Sequence, residues 1–319
     1  MKKYIHTVLG KLAPEFLGFT QCHEHVALTK GQSFLVNPVL LIDEPEKTIQ
    51  EILRYKEAGG SALVEAQPGG CNRDEKTLVR LSKESGVQIV ASAGFHKLVF
   101  YPENHWIYKS EIDVLSRFFI EELTEGMYGG IDEENDFREQ SRATAGILKT
   151  ALDRCDLEGR YQELFMAAIY AQKETGAPMM VHIEAGSNPR ALLTLLQKEG
   201  VNTEKVYFCH MDRACGNIDV FWEILDAGIS LELDTIGRFR YHSDEKELQL
   251  IHWILEKGYE GQLLCSLDTT RARLKAYEEN AIGLDYILKV FLPMMIDSGI
   301  SQERIKKIFV KNPARILAW

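Results

Sequence analysis

No run of about 18 uninterrupted apolar residues occurs in this chain, so no membrane-spanning helix is expected. The opening residues Met1 to His6 include no apolar core of the kind a secretory leader needs. The six cysteines (22, 71, 155, 209, 215 and 265) are scattered through 319 residues without a CxxC pair. That excludes a disulfide framework and points to reduced thiols in a cytoplasmic protein. No GxGxxG follows the first strand-like segment, which removes the dinucleotide-binding fingerprint. No internal repeat, low-complexity tract or linker divides the chain, and one domain over residues 1–319 is expected. Net positive charge is missing as well: at -10 the chain is a poor partner for nucleic acid or an anionic membrane.

What the chain does contain is alternation. Short β-branched or apolar runs stand at residues 18–22, 61–65, 88–92, 145–149, 179–182, 206–210, 229–233 and 262–266. Amphipathic patterns separate them at 46–58, 74–85, 158–175, 190–199, 217–227 and 244–257, and a glycine closes each of these six. Single strands alternating with single helices indicate a parallel sheet, and eight of them suggest an α/β fold closed as a (β/α)8 TIM barrel. One connection is exceptional. Residues 95–142, between strands 3 and 4, form a long insertion with an aromatic cluster and a helical pattern at 111–125. An insertion there would lie over the catalytic face.

Ligand-type side chains gather at the ends of these strands. His23 and His25 follow the first strand one residue apart, so both rings can reach one ion. Lys149 closes the fourth strand, His182 the fifth, His210 the sixth, and Asp268 follows the eighth. A barrel brings the C-terminal strand ends together at one rim. Imidazoles with a carboxylate suit a divalent transition ion; zinc, manganese, cobalt and iron all fit such donors. A single strand-end histidine is more often a hydrogen-bonded structural residue; the joint placement is what carries the metal reading.

The ordered set, with Gln21-Cys22-His23-Glu24-His25, Gly146-Ile147-Leu148-Lys149, Val181-His182-Ile183-Glu184-Ala185-Gly186 and Lys311-Asn312-Pro313-Ala314-Arg315, resembles the phosphotriesterase branch of the amidohydrolase superfamily over essentially the whole chain. The resemblance implies two divalent metal ions. His23, His25 and Asp268 would hold one, His182 and His210 the other, and a carboxylated Lys149 would bridge both. It also implies hydrolysis by a hydroxide held between the ions, with Asp268 as catalytic proton acceptor.

The substrate side is read from the loops after strands seven and eight. Arg238, Arg240, Tyr241, Arg271, Arg273 and Tyr277 form two cation-rich segments suited to a phosphate or carboxylate. The alternative is that these arginines pair with acids of neighbouring loops. His96 and Tyr101 are further pocket candidates, with Tyr101 and Trp106 as a possible lid. The stretch Glu232 to Phe239 resembles the bacterial phosphorylated-sugar-lactonase subgroup. The expected partner is therefore a small anionic substrate, a five-carbon sugar 1,4-lactone with a 5-phosphate; a homo-oligomer is left open. A phosphotriesterase or N-acyl-homoserine lactonase is the competing enzyme reading, and a non-catalytic metal-stabilised binding protein the remote one. Glu65 ends strand two on the same rim, where either support of a ligand histidine or a plain structural hydrogen bond fits. Glu24 is expected to turn away and brace a loop. Cys22, Cys209 and Cys265 are expected on the face opposite the ligands.

Overall fold

The computed structural model describes residues 2–132, 140–214 and 218–319. Cys215 and the end of the acidic stretch after Gly130 lie outside the described residues. Eight parallel strands form one sheet in sequential order: β1 (Thr20–Glu24), β2 (Ala62–Pro68), β3 (Gln88–Gly94), β4 (Ile147–Leu152), β5 (Met179–Ile183), β6 (Val206–Cys209), β7 (Ser230–Leu233) and β8 (Leu263–Cys265). All eight expected strands are found, with ends displaced by up to three residues. Lys149 therefore lies inside β4 and does not end it, because β4 continues to Leu152.

The sheet closes between β8 and β1 through a side chain. Ser266 Oγ accepts from the backbone N–H of Cys22 (2.8 Å) and of His23 (3.0 Å), and Asp268 N–H donates to the His23 carbonyl. Helices cover the outside at Pro45–Glu57, Glu75–Ser85, Arg160–Thr175, Pro189–Lys198, Asp219–Asp226 and Asp244–Glu256. Gly86 and Gly176 end their helices with φ of 72° and 76°, the left-handed turn a side chain would resist.

Alternation divides the core. Val64, Val90, Ile147, Met180, Tyr207 and Leu264 share one buried cluster inside the barrel. Leu63, Ile89, Leu148, Val181, Phe208 and Leu263 belong to the larger cluster under the helices. Cys265 joins the helix side as expected, but Cys22 and Cys209 fall in the inner cluster, beneath the ligand residues. Their placement corrects the opposite-face expectation: at Cys22 the pairing of β1 with β2 shifts register between Gln21 and Glu24, and after Cys209 the left-handed His210 (φ 64°) breaks strict alternation. Gly94 allows the close approach of β3 to β4, since a Cβ at that position would lie 2.0 Å from the Lys149 carbonyl oxygen.

The long connection between β3 and β4 carries a helix at Ile112–Thr124. Arg73 ties it to the barrel by a bidentate pair with Glu122, both side chains fully buried. Tyr101 and Trp106 are 2% and 6% exposed. Both pack into the main core, so neither is a free lid. A short N-terminal hairpin, Ile5–Thr7 with Gly10–Leu12, has no sequence pattern long enough to be read in advance. The C-terminal Trp319 docks on the same chain, stacking on His6 at 3.9 Å and bonding to the Gly146 carbonyl. Among the described residues no helix is long and apolar enough to cross a membrane.

Candidate metal centre

His23, His25, Lys149, His182, His210 and Asp268 meet at the C-terminal mouth of the barrel. One ring nitrogen each of His23 and His25 and a carboxylate oxygen of Asp268 lie within 4.8 Å of one another. Asp268 Oδ1 is 3.7 Å from the Nε2 atoms of both histidines. Lys149 Nζ lies 3.4 Å from His23 Nε2, and His210 Nε2 lies 2.7 Å from His182 Nδ1. Basic nitrogens therefore face one another and one carboxylate oxygen, which is the arrangement of a cation site.

The far side of the rings supports that reading. Glu65 Oε1 is 3.2 Å from His25 Nδ1, Glu184 Oε2 is 3.0 Å from His182 Nε2, and Asp234 Oδ1 is 2.7 Å from His210 Nδ1. A carboxylate on one nitrogen fixes the tautomer and turns the other lone pair inward. His23 Nδ1 lacks an aligned hydrogen bond, although Asp234 Oδ2 is 3.4 Å away. Burial lowers the pKa of His23, His210 and His182, the last to about 4 even though Glu184 opposes the shift. Burial also lowers that of Lys149. Neutral imidazoles and a lysine driven toward its neutral amine are the states that coordination and carboxylation require, so the residues fit a two-ion centre.

Two of the six hold unusual backbones. His210 has φ 64° and Asp268 φ 50°, a region sparsely used by residues other than glycine. Each is held from outside. Asp234 binds both the backbone N–H and the ring of His210. Glu24 accepts from the N–H groups of Leu267 and Thr269 on either side of Asp268, the loop brace expected of it. Burial raises the Glu24 pKa to about 7 against those bonds. Glu65 supports His25 and also binds the backbone N–H of Val26.

A cavity of about 280 Å3 opens over these groups. Of the substrate-side candidates, His96, Arg238, Arg240 and Tyr241 line it. Arg271, Arg273, Tyr277 and Tyr101 are not among its lining residues. Arg271 pairs with Asp43 and Glu44, Arg273 donates to the Ile236 and Gly237 carbonyls, and Tyr277 bonds Thr48. The Tyr101 hydroxyl accepts from the His96 N–H. Arg238 does double duty: besides lining the cavity it lies 3.1 Å from Asp268 Oδ2 and bonds the Asp268 carbonyl.

Four participants went unrecognised in the sequence: Asp234, Arg213, Lys97 and Glu184. Arg213 lies 3.2 Å from Asp268 Oδ2 and over the Tyr241 ring, and Lys97 Nζ holds Glu184 at 2.7 Å. Asp234 follows β7 directly, so the strand-end rule that found His210 was available for it. Burial would raise the Asp268 pKa, but Arg238 and Arg213 hold the carboxyl well below the usual carboxylate range. Asp268 is an anion here, competent as a ligand.

The fold is shared with known proteins. A lactonase from Listeria monocytogenes superimposes with a TM-score of 0.89 at 27% identity, covering 98% of each chain. A phospho-furanose lactonase of Mycoplasmopsis synoviae (strain 53) is 28% identical over 99% of this chain and 92% of its own length. An N-acetyltaurine hydrolase of Danio rerio is 27% identical over 99% of this chain and 98% of its own. Residues 3–317 match the model of the Phosphotriesterase family, and with that match spanning the whole barrel the chain belongs to this family.

Proposed function

We propose that this metal-dependent hydrolase opens a phosphorylated five-carbon sugar 1,4-lactone. The observation that carries the reading is the cavity wall: Arg240 and Tyr241 stand beside the donor cluster, with Arg213 and Arg238 next to them sharing the single carboxylate of Asp268, in a protein of net charge -10. A local group of cations there serves an anionic substrate. The similarity to the phospho-furanose lactonase of Mycoplasmopsis synoviae supports the same choice.

His23, His25, Asp268, His182, His210 and a carboxylated Lys149 would hold two divalent ions, which when bound supply Lewis acidity and an activated water. Asp234, Glu65 and Glu184 keep three of the imidazoles turned toward that centre. Arg240, which extends into solvent at the cavity edge and stacks on Tyr241, takes the phosphate with Tyr241. Arg213 and Arg238 bind Asp268 and hold its carboxylate in place. Asp268 then accepts the proton released on attack and returns it to the ring oxygen as it leaves.

The similarity to an N-acetyltaurine hydrolase favours a second reading, hydrolysis of an N-acyl bond in a substrate whose anion is a sulfonate. The same cations would bind it. Steady-state kinetics on sugar lactones with and without phosphate, a phosphotriester, an N-acyl-homoserine lactone and N-acetyltaurine separates the readings. We expect the phosphorylated lactone to lead, and Arg240→Ala to raise its KM about tenfold or more with kcat little changed. Equal turnover with and without phosphate contradicts the clamp.

A further inference from the structure

Outside the mouth, a second cavity of about 390 Å3 lies beside the helix Asp244–Glu256, lined by Asp212, Phe221, His242, Glu247, Leu250 and Trp253. One ligand atom each of Asp212, His242 and Glu247 lies within 4.8 Å of the others. We propose that these three side chains form a separate binding site for a divalent transition ion.

The hydrogen bonds around them leave a place for a cation. His242 Nδ1 lies 3.1 Å from the Ser243 carbonyl, to which it can only donate. In the neutral ring, Nε2 then carries a lone pair, yet it stands 3.0 Å from Glu247 Oε2 and 2.9 Å from Thr235 Oγ1, whose proton goes to Asp212. Acceptor faces acceptor unless a positive charge joins them. Glu247 is fully buried, and neither of its oxygens has an aligned hydrogen-bond donor. A buried carboxylate in that state is expensive. One proton on His242 neutralises one carboxylate, but Asp212 brings a second. The Arg213 guanidinium next to it is directed to Asp268 and Tyr241.

Two carboxylates and one imidazole neutralise a divalent ion and suit zinc, manganese or cobalt. Asp212 is already fixed: Thr235 donates to it from both its N–H and its hydroxyl, and the Arg213 N–H donates to the other oxygen. An ion here would pin the segment 235–244, with Arg238, Arg240 and Tyr241, to the turn that carries Arg213. It would fix the cavity wall without entering the reaction.

The test is metal content of the intact chain after loading with Co2+ and removal of excess by gel filtration. We expect Glu247→Gln and His242→Asn each to lose one equivalent per chain relative to wild type. A His23→Ala/Asp268→Ala variant should keep that equivalent, which separates this site from the barrel-mouth centre. Trp253 lines the same cavity, so Co2+ should quench wild-type fluorescence in a phase that Trp253→Phe removes. Cooperative thermal unfolding of each variant checks that it is folded. Equal cobalt content in wild type and both single variants, or no quenching phase assigned to Trp253, overturns the proposal.

Discussion

Asp234 shows how much one carboxylate can organise. Its two oxygens bind the ring and the backbone N–H of His210, and one stands 3.4 Å from His23 Nδ1. Asparagine keeps the shape but offers one acceptor and places an amide donor against an N–H. We therefore expect Asp234→Asn to weaken metal binding about 10- to 100-fold, read by competition with a chromophoric chelator. An unchanged affinity would mean that the His210 backbone alone sets the ring. That these six side chains meet was legible in the sequence because a barrel gathers strand ends whatever their spacing. The fate of the loop arginines was not. Arg271 meets Asp43 and Glu44, more than two hundred residues away, and only the folded loops bring those acids to it. Arg238, by contrast, reaches Asp268 because both stand on adjacent strand-end loops.

At the level of elements, the joint between β8 and β1 is made through a side chain and not a strand ladder, and it carries His23. Ser266 Oγ accepts two backbone N–H groups there and donates to Glu232. Ser266→Ala leaves both donors buried without partners, at a cost of about 1–3 kcal/mol each. We expect a drop in unfolding free energy of about 2–5 kcal/mol in urea titration, and a change below about 0.5 kcal/mol would show that the joint is held elsewhere. The seven helices expected from periodicity are present, since strong amphipathic patterns with capping residues specify helices locally. The three-residue strands of the N-terminal hairpin were illegible, being shorter than any pattern can identify. The register shift in β1 that puts Cys22 on the inner face was equally hidden, as was the left-handed His210 that breaks the alternation after Cys209.

Across the whole molecule, the floor of the barrel is closed by the C-terminal segment, and Lys205 anchors it. Its Nζ donates to the Arg315, Ile316 and Ala318 carbonyls, and burial lowers its pKa from 10.5 to about 8. Between those values the unfolded chain holds more protons than the folded one, so unfolding free energy rises with pH across that window. The difference in stability between wild type and Lys205→Met should therefore move in favour of wild type from pH 8 to pH 10.5. A pH-independent difference would mean that the three carbonyls hold the ammonium charged throughout.

At the mouth of the barrel, four imidazoles, Lys149 and Asp268 would share two ions. X-ray absorption at the zinc edge, on protein loaded with two equivalents, tests that sharing most directly. We expect a shell of nitrogen and oxygen only, with a metal–metal scattering path at about 3.5–4 Å. A shell containing sulfur, which would place zinc on Cys209 with Glu232 and Asp234 beneath the mouth, or isolated ions without a metal neighbour, would contradict it.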